Sequence, residues 1–485
     1  MGARAARAPI EYAAVPLRRV YSPFVRKQRA AARLALYVSL AIVAVGGFAG
    51  RRFLARPRLA EQHWMKVDWA RVPEVDLLRR YIRIDTTLET GDEAAAMRFL
   101  AAELATFGVS STVEVLPGGS ANLWAIVEGK DPSAIVLHQH VDTDPVPDPS
   151  LWQHSPWSAD IEGPWLHGRG AFDMKAVGIA QLVALRRLVE SGKPLRRSVV
   201  FLATSSEEHG SDLGMRWILL AHPEVASRFG VLLTEGGAVE ARSPDDIKYW
   251  GTDTAQRRYV IATFCSASRE RLEELRRDVP LAEARPRLTP AVARFLEAYG
   301  PHRDARLIRN LLARPEALVD DPFAFAALPH YLRSMLIDEA YPQTIVEDAG
   351  GFRMEVRLLL LPGVSTDEGL PELLPEWMTY GMTRTVRDPS PPDDGSATDD
   401  PAFLAIEAVL HEHFPEAPIG PWLPYGSITD ARFVRPLGVP AYGFSPFLVL
   451  STDTLHIGRL NERIDLPGFV QGVDVYSEVL ARLAN

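Results

Sequence analysis

The stretch VLHQHVDTDPVP, residues 136–147, decides the fold of this chain. It closes an apolar run with His140 and Asp142, two positions apart. Alternate side chains of a β-strand lie on one face of the sheet, so both groups point into the same site. Sites of α/β proteins lie at the carboxyl ends of strands, which is where this pair stands. The stretch therefore predicts a buried strand that delivers polar groups to a functional site.

Helical and β-rich segments alternate from about residue 72 to residue 245. Helical patterns such as EAAAMRFLAAELATFG and AVGIAQLVALRRLVESG separate the β-rich runs NLWAIVEG, AIVLHQHV, SVVFLATS and GVLLTEGG. Such alternation predicts an α/β fold with a mainly parallel sheet and helices on both faces. Glu207, Glu208 and Glu235 follow the last two of these runs, so we expect them near His140.

The pattern changes near residue 246. YVIATFCSAS is typical of a strand, RERLEELRRD of a helix and GGFRMEVRLLLLPG of another strand, before a polar loop at 388–401. We expect an inserted α+β lid domain over 246–389 and a catalytic domain formed by 59–245 together with 390–485. At 485 residues the chain is also too long for one ordinary core.

An uncharged segment, LALYVSLAIVAVGGFAG at 34–50, lies between two arginine clusters near the N-terminus. Its length at about 1.5 Å per residue barely spans a bilayer core of about 30 Å. The larger basic cluster precedes the segment. The positive-inside rule therefore predicts a cytoplasmic tail over 1–33, a single-pass transmembrane signal anchor over 34–50 and a periplasmic or extracytoplasmic catalytic domain. A cleaved signal peptide and a buried helix of the globular domain are the alternatives.

The charge balance excludes one class of partner. The net charge is −9 and residues 1–58 contribute +11 by count, which leaves about −20 on 59–485. An acidic globular part argues against nucleic acid as a partner. Cys265 is the only cysteine of the sequence, which excludes an internal disulfide and thiolate zinc sites.

Imidazole and carboxylate groups recur along the chain in a pattern that predicts a metal site. Zinc-type ions accept imidazole nitrogen and carboxylate oxygen, and two ions that share a carboxylate need about five protein ligands. Of the adjacent Glu207 and Glu208, one can bind metal while the other stays free as a base, since neighbours in an extended segment point opposite ways. Asp142 suits a carboxylate that orients the His140 ring through its second N–H. The candidate ligands are His140, Asp173, one of the adjacent glutamates, Glu235 and His456.

Each of these residues also has a purely structural interpretation. A lone histidine on an apolar strand is more often packed or hydrogen-bonded in a core, and a pair of glutamates usually lies on a solvated surface. Several neighbouring histidines are interpreted as structural or rim residues: His138, His154, His167 and His209.

Six motifs in a fixed order carry a resemblance to a known family. They are HVD at 140–142, WQHSPW with GRGAFDMK at 152–175, SEEHG at 206–210, EGG at 235–237, SITDAR at 427–432 and HIGRLNERI at 456–464. With these motifs the chain resembles the M20 metallopeptidase family, the group of aminoacylases, desuccinylases and carboxypeptidases. The resemblance covers most of 120–245 and 400–480, and it implies a catalytic domain of the zinc-peptidase type.

The resemblance also implies a cofactor and a role for each residue. It implies two zinc ions per chain, for which cobalt or manganese can substitute, with Asp173 as the bridging ligand and Glu207 as the general base. The remaining ligands are paired as His140 with Glu235 and Glu208 with His456. The implied reaction is hydrolysis of an amide in a small peptide or N-acyl amino acid, and a homodimer through the lid is a further expectation. An esterase with the same metals, or a metal-binding protein without turnover, is the alternative.

The substrate side departs from the family pattern. Where members carry a lid histidine in a G-H-S-S-like segment, the chain reads FCSASRER, and no histidine occurs between His222 and His302. Gln343 stands for the usual lid asparagine, and Arg357 stands for the arginine of an R-L-L-P-G segment. With Arg432 they are the candidate substrate-binding residues. We expect slow turnover, because loss of one oxyanion donor costs about 10²–10³ in rate.

Overall fold

The computed structural model describes residues 67–485, apart from 88–89, 244–245, 282–283, 349, 392, 425 and 451–453. The predicted tail, 1–33, and the predicted anchor, 34–50, lie outside the described residues.

The prediction of a single-pass membrane protein needs correction. No helix among the described residues is both long and apolar enough to cross a bilayer. The 19-residue helix Leu466–Ala484 would come near the required length, but it carries Asp474, Glu478 and Arg482 and is amphipathic. The predicted localisation, with a cytoplasmic N-terminus and a catalytic domain across the membrane, is therefore wrong, and the described residues give no support for membrane association.

The described strands are β1 Ser111–Val115, β2 Ala121–Val127, β3 Asp131–His140, β4 Asp160–Glu162, β5 Trp165–His167, β6 Arg197–Thr204, β7 Phe229–Thr234, β8 Ala238–Ser243, β9 Asp246–Asp253, β10 Arg258–Ser266, β11 Glu339–Asp348, β12 Gly351–Leu360, β13 Thr383–Arg387, β14 Ile419–Trp422, β15 Ala441–Gly443, β16 Val449–Leu450 and β17 Arg463–Asp465.

The described α-helices are α1 Pro73–Ile82, α2 Glu93–Thr106, α3 Lys175–Glu190, α4 Met215–Ala221, α5 Pro223–Ala226, α6 Arg269–Asp278, α7 Pro290–Tyr299, α8 Arg306–Leu312, α9 Ala317–Asp320, α10 Pro322–Ala327, α11 His330–Ser334, α12 Thr366–Leu373, α13 Glu376–Thr379, α14 Pro401–His413, α15 Ala431–Val434 and α16 Leu466–Ala484. Short 3₁₀ helices span Trp69–Arg71, Pro149–Leu151, Glu207–His209, Val279–Leu281, Gly300–His302, Arg435–Leu437 and Thr454–His456.

Four parallel strands, β6, β3, β7 and β15, form the centre of a ten-stranded sheet within the described residues. The strand order is β1-β2-β6-β3-β7-β15-β9-β8-β16, and β14 pairs with β9. Antiparallel pairs flank this centre, because short connections join β1 to β2 and β8 to β9. The α/β fold is confirmed, with a mixed sheet in place of the mainly parallel one.

Alternation along β3 directs side chains to two helical layers. Ile135 and Leu137 join a large core with α3 and α16 on one face of the sheet. Val136 joins a smaller core with α4 and α15 on the other face. Each such side chain contributes about 1.5–3 kcal/mol when fully buried. Helices therefore cover both faces, and the polar end of β3 is held rigidly between them.

A second sheet is antiparallel, with the order β11-β12-β10-β13, and it has its own core. Phe264 of β10 and Leu358 of β12 pack there with Leu272 of α6 and Phe295 of α7. The chain leaves the ten-stranded sheet after Asp253, the end of β9, and not at residue 246. The division into a catalytic domain and a lid domain stays a prediction.

A small antiparallel sheet, β17-β5-β4, joins two distant parts of the chain. Arg463 of β17 lies opposite His167 of β5. This pairing brings the end of the HIGRLNERI motif beside the GRGAFDMK motif.

Candidate active site

Three of the predicted ligands meet at the carboxyl edge of the ten-stranded sheet. His140 ends β3, Glu235 follows β7, and Asp173 lies two residues before α3. His140 Nε2 is 3.4 Å from Asp173 Oδ1 and 3.5 Å from Glu235 Oε2. One ligand atom from each of the three lies within 4.8 Å of the others. We call this group the edge cluster.

Asp142, the residue that the sequence suggested, contacts the His140 ring most closely through its main-chain oxygen and not through its carboxylate. Its Nδ1 lies 2.9 Å from the main-chain oxygen of Asp142 and 3.5 Å from carboxylate Oδ1 of the same residue. The ring N–H therefore donates to the carbonyl, which leaves Nε2 as the atom that faces the cluster.

The edge cluster holds more negative than positive charge in a buried place. Burial lowers the pKa of His140, but Glu235 and two neighbouring aspartates outweigh it and raise the pKa well above its ordinary value. Burial, with the nearby Asp173, likewise raises the pKa of Glu235 well above its usual range. One imidazole nitrogen and two carboxylate oxygens are donors that zinc-type ions accept. A cation would balance the buried charge, so these residues fit a metal ion.

Glycines allow the turn that carries Glu235. Gly236 and Gly237 have φ angles of 110° and 79°, a region that L side chains rarely adopt. A Cβ at Gly236 would lie 2.3 Å from a carboxylate oxygen of Asp253. The EGG motif is thus required by a tight turn against β9.

Asp142 also positions the adjacent glutamates. Its two carboxylate oxygens accept hydrogen bonds from the main-chain N–H groups of Glu207 and Glu208, at 3.1 and 3.0 Å. Ser206, just before them, has φ 55°, and the pair begins a 3₁₀ helix. Burial, and then the charge of Asp173, raise the pKa of Glu208 to about 10. Glu208 therefore lies in the electric field of the edge cluster.

Glu207, the predicted general base, forms a buried ion pair. Its Oε1 accepts from Arg432 Nη1 at 2.8 Å, with both side chains less than a tenth exposed. The second guanidinium nitrogen donates to Ser211 Oγ at 3.2 Å, and Ser211 donates to Asp430. Arg432, predicted to bind substrate, thus lies against the base, and the SITDAR motif forms its support.

His456 lies beside the edge cluster without joining it. It ends the helix Thr454–His456, is half-buried, and its Nδ1 is 3.1 Å from the oxygen of Leu460. A Cβ at Gly458 would lie 3.6 Å from Asp173 Oδ2, so the His456 loop adjoins the predicted bridging ligand. Among the described residues, no group of metal-ligand atoms joins His456 with Glu208.

Glu462 supports the loop of Asp173 and was not recognised from the sequence. Its Oε1 accepts from the amides of Phe172 and Asp173 at 2.9 and 3.0 Å. Its Oε2 accepts from Arg169 Nη1 at 2.9 Å and from the amide of Gly170 at 3.0 Å. Burial raises the pKa of Glu462 to about 7, against the opposing charge of Arg169. The fully buried carboxylate thus fixes the main chain that presents Asp173.

The two remaining substrate candidates share one surface of the second sheet. Gln343 of β11 and Arg357 of β12 line a cavity of about 300 Å³ together with Arg353 and Glu355. Gln343 Nε2 donates to the main-chain oxygen of Tyr341 at 3.0 Å. Both residues lie on strands of the four-stranded sheet, and neither belongs to the edge cluster.

A larger cavity, of about 410 Å³, lies between the ten-stranded sheet and the segment that holds Arg303, Tyr331 and Met335. Three of its lining residues, Phe172, Gly237 and Ile457, lie one or two positions from the predicted ligands Asp173, Glu235 and His456 respectively. Much of the remaining lining is apolar or aromatic: Val239, Tyr331, Met335, Trp422, Phe447 and Val449. Lys248 and Arg303 add two cationic groups and Glu240 adds a carboxylate. We call this cavity the large pocket; sequence patterns gave no signal for it.

Comparisons with known sequences agree with the motifs. The profile of Peptidase family M20/M25/M40 matches residues 136–482. Aminoacylase-1 from Sus scrofa is 29% identical over 436 residues, which cover 85% of this chain and 96% of that protein. A succinyl-diaminopimelate desuccinylase from Methylobacterium sp. (strain 4-46) is 42% identical over 125 residues, covering 24% of this chain and 31% of that protein.

Solved structures share the fold. An M20 family metallo-carboxypeptidase from Sulfolobus solfataricus superimposes with a TM-score of 0.65 at 14% identity, covering 84% of this chain and 98% of that one. Human carnosine dipeptidase 1 superimposes with a TM-score of 0.61 at 15% identity, covering 88% and 99%.

Proposed function

The chain belongs to peptidase family M20/M25/M40, and on that premise we propose that it hydrolyses the amide bond of an N-acyl amino acid or small peptide with two metal ions. Hydrolase activity and metal dependence go with the family. The edge cluster is the observation that carries the proposal, because three ligand types converge at the end of the central strands.

We assign the metal ligands from the cluster outward. His140 and Glu235 hold one ion and Asp173 is shared, which the distances of 3.4 and 3.5 Å support. Glu208 and His456 complete the second position, supported by the influence of Asp173 on Glu208 and by the nearness of the His456 loop. Zinc is the proposed metal, with cobalt or manganese as substitutes. Bound ions of this kind polarise a carbonyl and lower the pKa of water.

Glu207 performs the proton transfers in this proposal. Its carboxylate takes a proton from water as the water oxygen bonds to the carbonyl carbon, then donates that proton to the leaving nitrogen as the C–N bond breaks. Arg432 holds Oε1, so Oε2 is the atom available for the proton. Arg432 is thus a positioning residue and not a substrate ligand.

The large pocket is the proposed substrate site. Its apolar lining suits the acyl chain or apolar side chain of an N-acyl amino acid. Lys248 is half-buried and has no ion pair within the described residues, so it is available for the free carboxylate of such a substrate. The aminoacylase-1 relatives support N-acyl amino acids as the first class to test. Catalytic segments at 59–245 and 390–485, a lid at 246–389 and a homodimer through that lid remain part of the proposal.

The test is a substrate screen with the full chain. The protein is loaded with zinc, cobalt or manganese and assayed against N-acetyl amino acids and dipeptides, with Glu207→Gln as the matched control. We expect hydrolysis by the wild type and none by the control. A blank across the whole panel with metal bound would overturn the proposal in favour of a metal-binding protein without turnover.

A further inference from the structure

A second group of histidines and carboxylates lies on the small sheet, apart from the edge cluster. One ligand atom from each of His154, Glu162 and His167 lies within 4.8 Å of the others. The group shares no residue with the edge cluster. Sequence patterns alone suggested structural or rim roles for both histidines.

The pairing of β4 with β5 explains why these residues meet. Asp160 lies directly opposite His167 in the antiparallel register, so their side chains share one face. Glu162 is two positions after Asp160 and points to the same face. His154 comes from the segment before β4 and covers that face, with its ring stacked on His167 at a centroid distance of 4.1 Å.

Both ring nitrogens of His154 have carboxylate partners, whereas one ring nitrogen of His167 has no partner within the described residues. His154 Nδ1 is 3.3 Å from Asp160 Oδ2, and its Nε2 is 3.2 Å from Glu162 Oε2. His167 is only 5% exposed, and its buried Nε2 has no hydrogen-bond partner within the described part of the chain. A buried polar atom without a partner destabilises a fold, and native proteins rarely leave one.

We propose that His154, Glu162 and His167 bind a divalent zinc-type ion at a third metal site. Two imidazoles and one carboxylate are donors that zinc, cobalt and nickel accept. The side chain of Glu162 is 74% exposed, so it is free to adjust its position around an ion.

The third site acts on stability and not on the reaction. His167 ends β5, which pairs with β17, and the N–H of the next residue, Gly168, donates to the main-chain oxygen of Glu462 at 3.0 Å. An ion on His167 therefore anchors the sheet that leads into the Asp173 loop. It makes the β4–β5 hairpin harder to open.

The test counts metal in matched variants of the full chain. His154→Ala and Glu162→Gln change partly or fully exposed residues, so they spare the core. His222→Ala is the control: His222 also bridges two carboxylates, Glu114 and Glu224, but belongs to no three-ligand group within the described residues. After zinc loading and dialysis against metal-free buffer, elemental analysis gives the zinc content per chain.

We expect His154→Ala and Glu162→Gln each to retain one zinc fewer than the wild type, while His222→Ala matches it. The melting temperature of the wild type should rise with zinc by more than that of His154→Ala. The comparison is a difference between variants, so it stands whether or not the edge cluster holds two ions or hydrolyses a substrate. Equal zinc content and equal thermal shifts in all four proteins would overturn the third site.

Discussion

Glu462→Gln is the most informative substitution, because it tests how the loop of Asp173 is held. The wild-type carboxylate accepts from three main-chain amides and from Arg169, all at 2.9–3.0 Å. Glutamine keeps the shape and one acceptor oxygen, but its NH₂ group faces two of those donors in either orientation. Two hydrogen bonds are lost and the charge of Arg169 loses its buried partner.

The expected cost follows from burial. Arg169 is 4% exposed and Glu462 is fully buried. Removal of one partner from a buried ion pair costs about 3–5 kcal/mol, and each lost bond to a charged group about 1.5–3 kcal/mol. Since these contributions describe the same contacts, they do not add. We expect the free energy of unfolding to fall by about 3–5 kcal/mol, and metal affinity to fall about 10–100-fold because the Asp173 loop is no longer fixed.

Urea unfolding of the protein after a chelator has removed its metal measures stability without metal binding. A zinc competition titration then measures the affinity for zinc. The matched control is Glu128→Gln. Glu128 forms a bidentate ion pair with Arg228 at 2.7 and 2.8 Å, but the Glu128 side chain is 62% exposed. Its effect should stay below about 1 kcal/mol. If Glu462→Gln behaves like this control in both assays, the reasoning about the loop is refuted.

Further substitutions test the proposed catalytic groups and the pocket. Glu207→Gln should lower turnover about 10²–10⁴-fold with metal content unchanged, whereas Glu208→Gln should lose metal as well; the reverse pattern in elemental analysis would exchange their roles. Arg432→Met should lower kcat with KM and metal content unchanged, and should add nothing to Glu207→Gln; an additive loss in the double variant would mean that Arg432 acts elsewhere. Lys248→Met should raise KM about tenfold for N-acyl amino acids but not for their amides, because a lost charged contact of about 1.4 kcal/mol corresponds to a factor of ten. An equal change of KM for acids and amides would refute the contact between Lys248 and the substrate carboxylate.

Two of the three members of the edge cluster could be expected to meet because they stand at strand ends. Strand ends are visible as apolar runs that stop at polar residues, and parallel strands bring such ends together. His140 and Glu235 were located in this way, and Asp173 by its motif. The ion pair between Arg432 and Glu207 could not be predicted in this way, because the two residues are 225 positions apart. No periodicity connects residues at that distance.

The edges of the main sheet escaped prediction for a related reason. The alternation of helices and strands indicates parallel pairing between β3, β6 and β7, and the structure has it. Strand β9 joins the same sheet after the pattern has changed, by pairing with β8, β14 and β15. Two of those partners lie more than 160 positions further along the chain. Such pairing depends on tertiary packing, which outweighs local propensity in sheets.

The bond from the Asp173 amide to the Glu462 carboxylate, which spans 289 positions, has a consequence for the order of assembly during synthesis. While the ribosome makes the first half of the chain, His140, Asp173 and Glu235 are already present, but Glu462, β17 and the closing helix α16 are not. Until that late segment arrives, no carboxylate holds the main-chain amides of the Asp173 loop, and long-range closure is slow to form. We therefore expect the metal to bind after the nearly complete chain has left the ribosome. The ion then stabilises a fold that has already formed and does not nucleate folding.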